Sequence, residues 1–215
     1  MTFLESITMI AAVASIGATT TARAADDIEG PQYTVTDTVD GVELRRYAPY
    51  LVAEVTVEAP SRDTASSMGF RPLAGYIFGG NAGSDEIAMT APVTTQAQGG
   101  TRIAMTAPVT TEATEDGLYT VQFSMPSKWT MDTLPKPDNP DVTLREVPAE
   151  TRLAYRFVGM KTPENIDRAD AAIVEYARRN DLAISASPLV AGYDGPSVPP
   201  SQRRWEVMRA VDTDR

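Results

Sequence analysis

The sequence predicts an α+β fold: an antiparallel or mixed sheet, strongly curved, with two helices on its outside, built from two related β-α-β-β halves. Three observations predict it. An alternating, strand-like pattern runs into a helical one twice, residues 51–57 into 61–78 and residues 153–157 into 163–180, and further strand-like segments follow each time. Asp40-Gly41 sits between two alternating runs, the composition of a tight hairpin. The chain has 215 residues, 42% apolar and 22% charged, enough for one domain with a substantial core.

The elements follow in order. Residues 7–18 (ITMIAAVASIGA) form an apolar run, too short to span a bilayer, and Ala22-Arg-Ala24 offers the small-x-small pattern of a cleavage site. Residues 1–24 are therefore expected to be a signal peptide and 25–215 a single domain, exported, and periplasmic if the source is Gram-negative. The segment carries Glu5 and no basic residue before its apolar run. Residues 33–36 and 42–47 read as the arms of the hairpin, and 51–57 as a half-buried strand. Ser61 can cap a helix to about Phe78, with Phe70, Ala74 and Ile77 on one face, Pro72 expected to kink it or delay its regular part, and Gly79-Gly80 ending it. Ile87-Ala-Met-Thr-Ala-Pro-Val-Thr-Thr95 then recurs as Ile103-Ala-Met-Thr-Ala-Pro-Val-Thr-Thr111, sixteen residues later. Two strands folded back as a hairpin are expected, with Pro92 and Pro108 at bends or strand ends. Residues 119–125, 142–146 and 153–157 alternate as strands around a proline-rich passage at 126–140. Thr162-Pro163 opens the second helix, striped by Ile166, Ala169, Ile173 and Tyr176. Residues 189–193 and 205–211 close the chain as strands.

Composition narrows the chemistry. There is no histidine and no cysteine. Ser/His and Cys/His nucleophilic systems, histidine metal sites, thiolates, disulfides and iron–sulfur ligation are thereby excluded. A formal charge of −10 argues against a nucleic-acid partner, which needs a basic face. Asp85-Glu86 and the acidic residues of 138–141 lack the spacing of a calcium loop. No constellation marks a catalytic or metal site.

Several local sequences then resemble one family. Gly75-Tyr-Ile-Phe-Gly-Gly-Asn81, the doubled Ile-Ala-Met-Thr-Ala-Pro-Val, Phe123-Ser-Met-Pro126, Thr133-Leu-Pro-Lys-Pro137 and Arg203-Arg-Trp-Glu-Val207 closely resemble the SOUL family of haem-binding proteins. Val42-Glu-Leu-Arg-Arg-Tyr47 and Arg156-Phe-Val-Gly159 fit as well, so the resemblance covers essentially residues 31–211. It implies a twisted barrel of about nine strands flanked by two helices, similar to the effector-binding domains of bacterial drug-sensing regulators. It also implies a non-enzymatic binder of haem or a related tetrapyrrole, in an apolar surface pocket on the first helix. Carried onto this chain, the pocket residues are Phe70, Arg71, Ala74 and Ile77 on the helix, with Tyr193 and Val198 near the last loop. Positions where animal members place basic residues read Ser67, Gly75 and Val198; Arg71 or a C-terminal arginine is the available substitute. Trp205 stands where the family's last motif has asparagine. Histidine ligation is impossible here. Met89 and Met105 fit core filling better than thioether ligation. Tyr193 reads either as an oxygen donor to iron or as a packing residue. Other bulky apolar ligands, a tetrapyrrole-modifying activity or a carboxylate-based hydrolase are the alternatives; no stable membrane insertion after signal cleavage is expected.

Overall fold

The computed structural model describes residues 28–82, 100–114 and 116–212. Residues 1–24, expected to be a signal peptide, the first copy of the repeat with Met89, and Asp85-Glu86 lie outside the described residues.

Strands β1 (Tyr33–Val39) and β2 (Val42–Tyr47) form the expected hairpin, and β3 (Tyr50–Val57) follows. Asp40 and Gly41 both take positive φ, 52° and 83°, as a two-residue turn between right-twisted strands requires. Helix α1 (Arg62–Ile77) is capped by the Ser61 side chain, which accepts from the Thr64 N–H. After it come β4 (Asn81–Ala82), β5 (Val109–Ala113), β6 (Tyr119–Ser124), β7 (Lys136–Pro137), β8 (Thr143–Val147) and β9 (Glu150–Val158). Helix α2 (Pro163–Arg179) is capped by Thr162, and β10 (Leu189–Gly192) and β11 (Arg204–Val211) finish the chain.

Nine strands form one sheet in the order β1-β2-β9-β11-β10-β5-β6-β3-β8, every neighbouring pair antiparallel. The order is that of a duplicated unit. In the first half β5-β6-β3 lie side by side, in the second β10-β11-β9, and the halves meet at β5 and β10. The lead-in strands are exchanged: β2 precedes β3 but pairs with β9, and β8 precedes β9 but pairs with β3. Each half thus borrows an outer strand from the other, which ties the two together.

Strand alternation divides the sheet into two faces. One packs against the helices: Val55, Val121 and Phe123 lie under α1, and Leu153, Val207 and Val42 under α2. The opposite face holds Tyr47, Leu189 and Met208. Among the described residues no helix is long and apolar enough to cross a membrane.

Three sequence expectations change here. The buried residues of α1 are Ala65, Gly69, Leu73, Tyr76 and Ile77, so Ile77 is core while Phe70, two turns earlier, is left exposed. Gly69 is what the pattern concealed. A Cβ there would stand 2.6 Å from the Val121 side chain, so the residue marks the helix's closest approach to the sheet while adding no apolar atoms. Pro72 does not break the helix. The second copy of the repeat is not a continuous strand: only Val109 onward joins β5, with Pro108 just before the strand, where a missing donor costs nothing.

Candidate ligand-binding cleft

The two sheet faces offer two sites of unequal size. On the face away from the helices, Arg45 and Glu206 are both fully buried and paired through two hydrogen bonds of 2.9 Å. Arg156 also donates to Glu206, Tyr193 donates its hydroxyl at 2.5 Å, and Arg45 lies 4.5 Å from the centre of the Tyr33 ring. Burial alone would push the Glu206 carboxyl up; the hydrogen bonds and charge of Arg45, with the Tyr193 hydroxyl and Arg156, hold it below its ordinary value. Burial, together with the negative charge of Glu206, raises the Tyr193 phenol well above its own. The space left beside this network, walled by Tyr33, Tyr47, Tyr50 and Tyr193, is about 40 Å³. That is room for a water or two, since one water needs roughly 10–15 Å³. The interior is filled by its own side chains.

On the helix side lies a cleft of about 550 Å³, well inside the range of roughly 300–1,000 Å³ typical of small-molecule sites. It runs along the seam between the halves. Ser66 and Phe70 of α1 form one wall, and Val109 of β5 with Val190 of β10 form its floor. Trp205 of β11 closes the far side. Phe70 is 42% exposed although its ring meets Phe123 edge-on at 5.4 Å. Trp205 is held by its indole N–H, which donates to the Gly159 carbonyl at 3.0 Å.

Three cations border the cleft: Arg62, Lys161 and Arg203. Lys161 stands 5.0 Å from the Trp205 ring and pairs with Asp63 at the helix start. Arg203 donates to the carbonyls of Val198 and Pro196, which fixes the loop before β11. The one carboxylate among the lining residues, Asp194, is committed to Arg204. A second depression of about 320 Å³ shares Ser66, Ser67, Lys161, Arg203 and Trp205 with the cleft. The basic end therefore opens into further space, and the whole is a trough, apolar at one end and cationic at the other.

A SOUL heme-binding protein profile matches residues 28–101 and 94–210. The chain belongs to the SOUL family. SOUL relatives include Heme-binding protein 2 of Mus musculus, 25% identical over 174 residues that cover 79% of this chain and 80% of that protein. Heme-binding protein 2 of Homo sapiens is 25% identical over 155 residues, 72% of this chain and 70% of that one. Among solved structures, the EcmrR C-terminal domain superposes with a TM-score of 0.57 at 12% identity, covering 80% of this chain and 96% of that domain. A hydrolase from Listeria innocua gives 0.51 at 11%, over 82% and 94%. These two likenesses concern the fold alone. Membership of the SOUL family supports haem or tetrapyrrole binding in general, with haem as ligand.

Of the six pocket residues expected from the SOUL resemblance, the structure brings Phe70 and Tyr193 to the cleft. Ile77 is buried among Leu73 and Tyr76, 2% exposed, because it belongs to the sheet-facing stripe of α1. Ala74, one turn beyond Phe70, and exposed Arg71 lie outside the lining, and Val198 acts through its carbonyl on Arg203. Met105 is not core filling: it is 54% exposed and lines the cleft. Arg62 and Lys161 were missed, and Arg203 and Trp205 were reached only in part, as an unspecified C-terminal arginine and as a departure from the family motif. The four arrive from three separate places in the chain, the start of α1, the loop before α2 and the segment entering β11, and only the last, through the family motif at 203–207, carried a local signal.

Proposed function

We propose that this chain binds haem or another carboxylate-bearing tetrapyrrole in the cleft between α1 and the β5–β10 seam. Binding rests on apolar contact with Phe70, Val109 and Trp205 and on ion pairing at the Lys161–Arg203 end. The observation that carries this reading is the trough's polarity: three cations gather at its border in a chain of net charge −10. A flat apolar ligand with acidic groups on one edge matches it, and histidine plays no part. The protein acts as a binder and not as an enzyme, and it works after export, in the periplasm if its source is Gram-negative.

Haemin titration of the protein tests this. A saturable Soret shift at a stoichiometry near one is expected, with quenching of Trp205 fluorescence. Lys161→Met should weaken a free-acid porphyrin about tenfold, about 1.4 kcal/mol, and leave its dimethyl ester unaffected. An unchanged haem spectrum, or equal loss for acid and ester, overturns the reading. Consumption of haem in the presence of a reductant would point to the enzymatic alternative. N-terminal sequencing of the secreted form checks export, with Ala25 expected first.

A further inference from the structure

We propose that Met105 is the iron ligand of this site and that the cleft therefore selects ferrous over ferric haem. The proposal rests on the tetrapyrrole reading above. It follows from asking which cleft side chain has a donor atom to spare. The chain contains no imidazole and no thiolate. Tyr193 is the oxygen donor expected of such a site, but its hydroxyl is given to the buried carboxylate of Glu206, on the face of the sheet away from the helices. Asp194 is held by the Arg204 guanidinium and backbone N–H. Lys161 is an ammonium paired with Asp63, and the Trp205 N–H is taken by a carbonyl.

Met160, 58% exposed, lines the adjoining depression with Lys161 and Arg203 and not the cleft. Among the residues lining the cleft itself Met105 remains, a thioether that is 54% exposed beside its apolar floor. Its neighbour at i−2, Ile103, is buried and its main-chain N–H is tied to the Ile77 carbonyl at 2.9 Å. On the other side the Thr106 hydroxyl is bonded to the Ser124 carbonyl. The backbone is thus anchored on both sides of a side chain left in the open. Nothing in the packing calls for methionine there, whereas a soft neutral donor has a use. Thioether ligation favours the lower charge of ferrous iron and raises the reduction potential, opposite to the effect of an anionic oxygen ligand.

Ferrous haem, ferric haem and metal-free protoporphyrin are titrated separately against the protein, Met105→Leu, Met105→His and Tyr193→Phe. In the unaltered protein, ferrous haem is expected to show a five-coordinate, high-spin, thioether-ligated spectrum by magnetic circular dichroism, distinct from that of haem with no protein ligand. Its affinity should exceed that for ferric haem by about tenfold, equivalent to about 59 mV in potential for one electron. Met105→Leu should remove the thioether-ligated spectrum and the ferrous preference while protoporphyrin binding stays unchanged. Met105→His should yield an imidazole-ligated spectrum and lower the potential. Tyr193→Phe should alter neither spectrum nor preference. Unchanged ferrous spectra in both Met105 variants, or loss of ligation in Tyr193→Phe, overturn the assignment and leave tetrapyrrole binding standing. Failure of all three ligands to bind the unaltered protein overturns both.

Discussion

Helices α1 and α2 each follow the first strand of a half, each start at a hydroxyl cap, Ser61 and Thr162, and each bury a stripe of the same spacing. In α1 that stripe is Gly69, Leu73, Tyr76 and Ile77, preceded by Ala65; in α2 it is Ala169, Ile173, Tyr176 and Ala177. Their outer sides differ. On α2 Arg178 and Arg179 both pair with Glu175, a solvated charge network. On α1 the outer side presents Met68 and Phe70, 48% and 42% exposed, and the cap Phe78 at 52%. The duplication thus kept one packing solution and changed the surface of one copy. Apolar side chains left in water beside a cleft add little to folding, which is why the difference marks a binding face.

If the inner stripes are equivalent, truncating them should cost alike. Leu73 and Ile173 are both fully buried. Leu73→Ala and Ile173→Ala should each lose about 2–5 kcal/mol in denaturant titrations. A deficit confined to one of them would show that a single half carries the stability. Gly69→Ala tests the approach of α1 to the sheet. Its methyl would meet Val121 at 2.6 Å, and a loss of about 1–3 kcal/mol is expected from overpacking.

Two carboxylates separate the halves by pH. Glu206 in the second half has its folded pKa lowered: burial opposes this, but Arg45, Tyr193 and Arg156 prevail. Its stability contribution is full above about 4.5 and is lost as pH falls through the folded pKa, below that. Glu112 in the first half has its pKa raised by desolvation, which the nearby arginines only partly offset. Its charged form is a burden at neutral pH that lifts on acidification, and below about 4.5 both states are protonated and the contribution vanishes. Melting curves should therefore show Glu206→Gln destabilised at pH 7, with the gap narrowing in acid. Glu112→Gln should be stabilised at pH 7, with no difference at low pH. Two effects of the same sign would mean that the halves do not differ in this way.

Legibility in the sequence followed the range of the interaction. The Asp40-Gly41 hairpin, both caps and the α2 stripe are set by neighbours within a few residues, and the residues alone gave them. The α1 core face was hidden by Gly69, whose contribution is the absence of a side chain. The Arg45–Glu206 pair joins residues 161 apart, and no local pattern announces it. The cationic end of the cleft is assembled from the start of α1, the loop before α2 and the loop before β11. Each basic residue there reads by itself as ordinary surface. Phe70 and Ile77 came together from their i, i+7 spacing and from the resemblance. The spacing gives a common side but not where along the helix the core ends and the cleft begins, so Ile77 proved buried and Phe70 exposed.

The smallest change in stability should come from the residues that separate the helices most. Phe70→Ser removes an edge contact with Phe123 worth about 0.5–1.5 kcal/mol, part of which the exposed ring never fully realises. The serine exposes no unpaired group, since water reaches the position. Val174→Ser on α2, 44% exposed, should change stability by no more than about 0.5 kcal/mol. Porphyrin affinity is the readout that divides them. It should fall at least about tenfold in Phe70→Ser, because the ring is the cleft's largest apolar surface on α1, and stay constant in Val174→Ser. Equal affinities in the two variants would mean that the exposed face of α1 is not where the ligand lies.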